Sequence, residues 1–245
     1  MRSYSAEVRK LAALESFNAR ALLGDAVISQ ECCDFVLALA LAFNDLKDLI
    51  LGETLLLDQA PDERTVPSRE LGAFAGAHFH FIRSILGVLR ELLYVVKSSE
   101  SVRDNAEFKK VVKNLPPNRR AVWQKLVDAS HASVSADPDV RFLVIARNTV
   151  AYHYEPKAIG RGFRRAFEAG TEVPFLSRGG SIAATRFYFA DRAAHSYLQN
   201  VFDDRDLETY FLKQPELLKD IAFALFSVVT VFITSRGAAW RRVAV

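Results

Sequence analysis

Arg147, Asn148 and His153 are the residues in this chain whose types and spacing could support a reaction. They lie in the stretch Arg147-Asn148-Thr149-Val150-Ala151-Tyr152-His153-Tyr154, where an arginine and a histidine interrupt an apolar helical pattern. A guanidinium can grip phosphoryl oxygens through paired N–H donors and offset charge that builds up in a transition state. An imidazole can pass protons near neutral pH. Together they suit cleavage of a phosphodiester by an adjacent ribose 2′-hydroxyl: Arg147 holds the phosphate, His153 moves protons, Asn148 orients either partner, and no metal or other cofactor is needed. The plain alternative is structural, with His153 closing the end of its helix and Arg147 paired to an acidic residue of the N-terminal helices.

Local sequence signals define the helix that carries these residues. Asp137 is a helix cap and Pro138 suits the first helical position. Pro156 disfavours helical geometry at Glu155, so the segment reads as a helix of about four turns that ends near His153. On an ideal helix Arg147 and His153 do not face each other. They converge only if the last turn before Pro156 is distorted, or if two copies meet across a dimer axis.

The rest of the chain reads as helices. Its 245 residues are half hydrophobic and a quarter charged, which excludes a disordered chain and allows one substantial core. Helices are expected over residues 6–23, 28–57 and 68–97, the second with the apolar run 35–43 buried on most sides and the third capped by Ser68. Shorter helices follow at 102–114 and at 118–129, the latter capped by Asn118, and a basic one at 157–168. A loop at 171–181 precedes a strand-like stretch at 184–190, and helices at 193–202 and 215–235 close the chain. Without alternating strands and helices, the fold class is all-α: a single-domain, up-and-down multi-helix bundle with at most one short strand or hairpin.

Charge is unevenly spread. Residues 1–108 carry 11 Lys/Arg against 16 Asp/Glu, residues 109–165 carry 12 against 4, and residues 166–245 carry 9 of each. The basic middle segment holds the Arg147–His153 stretch and continues into Arg161, Arg164 and Arg165, which suits a polyanion such as RNA. A solvated basic surface paired with the acidic N-terminal part accounts for the same counts. Cys32 and Cys33 are adjacent, cannot bridge one another, and point to inert packing in a cytoplasmic protein. The apolar run Ile221–Ser235 is 15 residues long, below the roughly 20 that span a bilayer, and reads as a core or dimer-interface helix. His78 and His80 diverge on a helix and cannot share an ion, and Asp128 with His131 is a single acid–histidine pair, too little for a di-iron bundle. Asp191 and His195 read as a surface pair one turn apart.

The Arg147-to-His153 segment resembles the signature of the HEPN superfamily, all-α proteins in which an arginine followed by a polar residue precedes a histidine by four to six positions. Here five residues intervene, and Asn148 stands at the polar position. The resemblance implies a metal-independent endoribonuclease with a site shared between two subunits, and roles in toxicity, phage defence or stress. It maps the catalytic pair onto Arg147 and His153, with Asn148 as the polar supporter; Tyr154 and the basic cluster Arg161, Arg164 and Arg165 just after the motif are the candidate substrate-binding residues. RNA, a second copy of the chain, and an antitoxin or sensor protein are the partners it implies. Tyr154 directly follows His153, whereas toxins of this group that pair with a nucleotidyltransferase often place one residue between them. The competing expectation is a non-catalytic helical module that binds RNA, protein or a small ligand.

Overall fold

The computed structural model describes residues 14–61, 68–133, 135–148, 156–170, 172–177, 185–202 and 207–243. Nine α-helices run through these residues: α1 (Gln30–Leu57), α2 (Arg69–Ser98), α3 (Glu100–Asp104), α4 (Ala106–Lys113), α5 (Pro117–His131), α6 (Pro138–Asn148), α7 (Pro156–Phe167), α8 (Tyr188–Val201) and α9 (Leu207–Ser235). Two three-residue strands, β1 (Leu14–Ser16) and β2 (Arg241–Val243), pair antiparallel. The protein is an all-α multi-helix bundle.

Side-chain periodicity explains the arrangement. Along α2 the buried positions Ile82, Ile85, Leu86, Leu89, Leu92, Leu93 and Val96 recur at intervals of three and four, a stripe that stays on one face over four turns. That stripe makes α2 the axis, in contact with α1, α5, α6 and α8. Helix α9 carries a second stripe, Leu218, Ile221, Leu225, Val228 and Phe232, and packs on α1, α4 and α5. Phe35, Phe108 and Trp123 join α1, α4 and α5 edge to face, with centroids 5.4–6.4 Å apart.

The caps are side-chain devices that the sequence announces. The Ser68 hydroxyl oxygen accepts the Leu71 amide at 3.0 Å. The Asp137 carboxylate accepts the amides of Asp139 and Val140 at 2.8 and 3.1 Å, with Pro138 opening α6 as expected. Lys125 bridges Asp137 and Asp139 and so fastens the start of α6 to α5.

Several expectations are corrected. Helix α5 opens on Pro117, so Asn118 lies inside the first turn and is not the cap. The described part of the expected N-terminal helix is instead β1 followed by a 3-10 turn at Ala19–Leu22, which begins where the Asn18 side chain accepts the Arg20 amide. β1 pairs with β2, more than two hundred residues on, and local periodicity carries no sign of such a partner. Helix α1 is buried along one side, through Phe35, Val36 and Leu39, while Leu37 and Leu41 face outward. In the stretch read as strand-like, Arg186 makes one isolated bridge to Ser177 and α8 begins two residues later.

Helix α9 extends well before the apolar run at Ile221, and its segment Pro215–Ser235, 21 residues, is long and apolar enough to cross a membrane by length and composition. Half of that window is buried against the bundle, as in a core helix. Cys32 and Cys33 are free and buried, and burial pushes the Cys32 thiol up to about 11, which keeps it unreactive.

Helices α7 and α8 touch along a small-residue ridge, Ala158, Gly162 and Ala166, spaced four apart. A Cβ at Gly162 would overlap the Ala193 carbonyl oxygen, so only glycine allows this approach. Gly162→Ala should therefore widen the α7–α8 spacing and cost about 1–3 kcal/mol, read as a lower urea midpoint at unchanged helix content. An unchanged midpoint would show that the two helices are free to separate.

Candidate functional site

Arg147 and Asn148 are the last two residues of α6, a helix whose Val140, Phe142, Leu143, Val144 and Ala146 are buried. That packing fixes where the guanidinium goes. Arg147 reaches back to the C-terminal end of α5: Nη1 donates to the carbonyl oxygens of Ala129 and Ser130 at 2.7 and 2.8 Å, and Nη2 to that of Ala132 at 2.8 Å. Its Nε donates to Asn148 Oδ1 at 3.2 Å. The last carbonyls of a helix have no partners within it and form its negative end, so a cation there is doubly favoured. Four of the five guanidinium N–H groups are thereby used, and one remains uncommitted among the described residues. Among the described residues no acidic side chain of the N-terminal helices is its partner: Arg147 is held by backbone oxygens and by Asn148.

A histidine that no local spacing points to sits on the same helix end. His131 closes α5, and its Nε2 lies 2.8 Å from Arg103 Nη2. A guanidinium has no acceptor, so Nε2 accepts and the ring proton is assigned to Nδ1. Arg103 also donates from Nε to the Val96 carbonyl at 2.8 Å, tying the end of α2 into the group. Arg103, His131, Arg147 and Asn148 thus gather around the end of α5. The contact between residues 103 and 131 spans 28 positions, and no short spacing could have revealed it.

His153 and Tyr154 lie outside the described residues. The three arginines expected to extend the site lie on α7, whose residues include no Asp or Glu. Arg165 donates to Asn200 Oδ1 at 2.8 Å, and Arg161 lies over the Tyr197 ring at 5.8 Å, both against α8. Arg164 points outward and is exposed.

A second polar group joins α1, α2 and α8. Glu53 Oε1 lies 3.5 Å from His78 Nδ1. Burial raises the Glu53 carboxyl to about 6. His195 is not a surface partner of Asp191, which instead binds Arg186 at 2.8 Å. Its ring packs on the edge of Phe79 at 5.7 Å, and Arg192 Nη1 lies 3.2 Å from its Nδ1. Burial, then the Arg192 and His78 charges, lower His195 to about 4. The sequence offered only a four-residue spacing for His195 and nothing for Glu53, since both shifts come from helices that meet in space.

Comparison with known protein families, with characterised proteins and with solved structures finds no match to this chain. What defines it is therefore its own architecture: an all-α bundle with an arginine-capped helix end and, further along the chain, a basic helix packed on α8.

Two outcomes follow from these environments. Arg147→Ala strips a charged donor from three carbonyls and should cost about 2–3 kcal/mol, measured by urea unfolding; a loss under about 0.5 kcal/mol would show that water replaces the guanidinium freely. In the second group, His195 favours its neutral form in the fold, so stability is full above about pH 6.5 and falls as pH drops towards 4. Glu53 acts in the opposite sense and gains stability as pH drops from about 6 to 4.5. The two groups oppose each other between about pH 6 and 4.5, so His195→Gln should make thermal stability rise relative to the wild type as pH drops through that range, and Glu53→Gln should make it fall. Parallel profiles for all three proteins would overturn this assignment.

Proposed function

We propose that this protein is an HEPN-like, metal-independent endoribonuclease, with a homodimer as its working form and a defence or toxin role. The ribose 2′-hydroxyl attacks the adjacent phosphorus, and the 5′-oxygen leaves with a cyclic phosphate behind it. His153 removes the hydroxyl proton or protonates the leaving oxygen. Arg147 offers its uncommitted N–H to a phosphoryl oxygen, and its four other hydrogen bonds spare it any reorganisation as charge develops. Asn148 is exposed and holds the guanidinium through Oδ1, which leaves its amide N–H groups for the substrate.

The observation that carries this reading is the Arg147-Asn148 pair at the end of a buried helix, followed within a few residues by a basic helix without acids. One observation favours the non-catalytic reading: Arg147 satisfies most of its donors on α5, a structural job sufficient to explain its presence.

Cleavage of labelled single-stranded RNA in EDTA separates the two. An endoribonuclease gives 2′,3′-cyclic phosphate ends, and His153→Ala lowers the rate by about 10²–10⁴ with thermal stability unchanged. Equal rates in the wild type and in His153→Ala would end the catalytic reading. Arg147→Ala is unsuited to this comparison because it also removes the cap of α5.

A further inference from the structure

We infer that the outer edge of α7 and the start of α8 form a platform that binds single-stranded RNA by stacking its unpaired bases. The inference deepens the reading of an RNA-directed protein and rests on it.

Phe163 and Phe187 remain exposed, at 39% and 58%, although both belong to a chain of packed rings. Phe163 meets Phe167 at 4.8 Å and Phe189 at 6.3 Å, and Phe187 meets Phe189 at 5.7 Å. Neighbouring rings hold each ring in place while one side stays open to water, which is the condition for stacking a base at little entropic cost.

Charge stands beside the rings. On α7, Lys157 and Arg164 are exposed and make no hydrogen bond or ion pair among the described residues. At 100° per residue they lie on the sector next to Phe163 and Phe167, away from the ridge buried on α8. Glu168, exposed one turn after Arg164, offsets part of this charge, and the net positive edge that remains beside open aromatic rings matches a strand that presents phosphates on one side and bases on the other. A duplex buries its bases and offers the rings nothing.

A basic amphipathic helix can also lie on an anionic membrane, but such a helix needs its apolar face free for lipid. The apolar ridge of α7, Ala158, Gly162 and Ala166, is already buried. Two exposed phenylalanines at its margin are too little to replace that face, and single-stranded nucleic acid is the better occupant.

The test uses the full-length chain and a fluorescent 12-mer of 2′-O-methyluridine, which binds as RNA does but cannot be cut by 2′-hydroxyl attack. Binding is measured by anisotropy across a salt series. The platform predicts salt-sensitive binding, weakened about tenfold by Phe187→Ala and by Phe163→Ala. Arg164→Gln should reduce the slope of log K against log salt by about 0.7, the loss of one phosphate contact. Phe163 also supports other rings, so Phe187→Ala, at the more exposed position, decides the matter if Phe163→Ala lowers thermal stability. Unchanged affinity in Phe187→Ala, tighter binding of a matched RNA duplex, or binding of phosphatidylserine vesicles in place of the oligonucleotide would each overturn the platform. Because the probe is uncleavable, binding that persists in a protein without RNA cleavage sinks the endoribonuclease and leaves the platform standing.

Discussion

Three carbonyl oxygens at the C-terminal end of α5 converge on the guanidinium of Arg147. Without it, the partially buried negative end of a 15-residue helix would face the bundle with its acceptors unmet. The same contact sets the angle between α5 and α6. Both helices lie against α2, so an error at this junction would pass directly into the core. The start of α6 is fixed independently by the Asp137 cap and by Lys125 of α5. Helix α6 is therefore tied to α5 near both of its described ends, by the Asp137–Lys125 contact at one and by Arg147 at the other.

The basic middle of the chain is not one surface. Lys125 is spent on Asp137 and Asp139, Arg119 on Asp220 of α9, and Arg147 on α5 carbonyls. These cations hold helices together, and their contribution to any field around the protein is largely cancelled. The excess that remains outward is concentrated on α7, which holds no Asp or Glu of its own and is followed by the single carboxylate of Glu168. Charge counts along a sequence cannot separate these two uses, because the partners sit on other helices. Arg119 and Asp220 are 101 positions apart.

This contrast explains what the sequence made legible. Helices with a local signature were readable: Ser68 before the α2 stripe, and Asp137-Pro138 before α6. Their capping chemistry is satisfied within four residues, so nothing distant can override it. Features decided by distant partners were not readable. Residues 14–16 form a strand because β2 reaches them, and the Phe17 ring that follows meets Trp240 at 5.2 Å. Arg236 of the segment after α9 then binds Asp25 and the Leu23 carbonyl, which holds the segment before α1 beside the end of α9. At the candidate site, the sequence singled out Arg147 by its type in an apolar context. It gave no hint that α5 would absorb most of its donors, or that His131 and Arg103 would join it.

The link between that site and the α7–α8 pair runs through the N-terminal half of α2. There the apolar stripe gives way to Gly72, Gly76 and His78, residues that look unsuited to the axis of a bundle. Their function is spatial. A Cβ at Gly72 would overlap the Tyr188 ring, and one at Gly76 would overlap the Arg186 guanidinium, so both glycines admit the start of α8 against α2. Asp191 holds Arg186 in that position, and His195 one turn later packs on Phe79. Helix α8 is thus seated by close approach and by a buried neutral imidazole, where the C-terminal half of α2 relies on leucine and isoleucine. Phe187 and Phe189 flank Tyr188, so seating that ring on Gly72 also fixes the direction in which they leave the bundle.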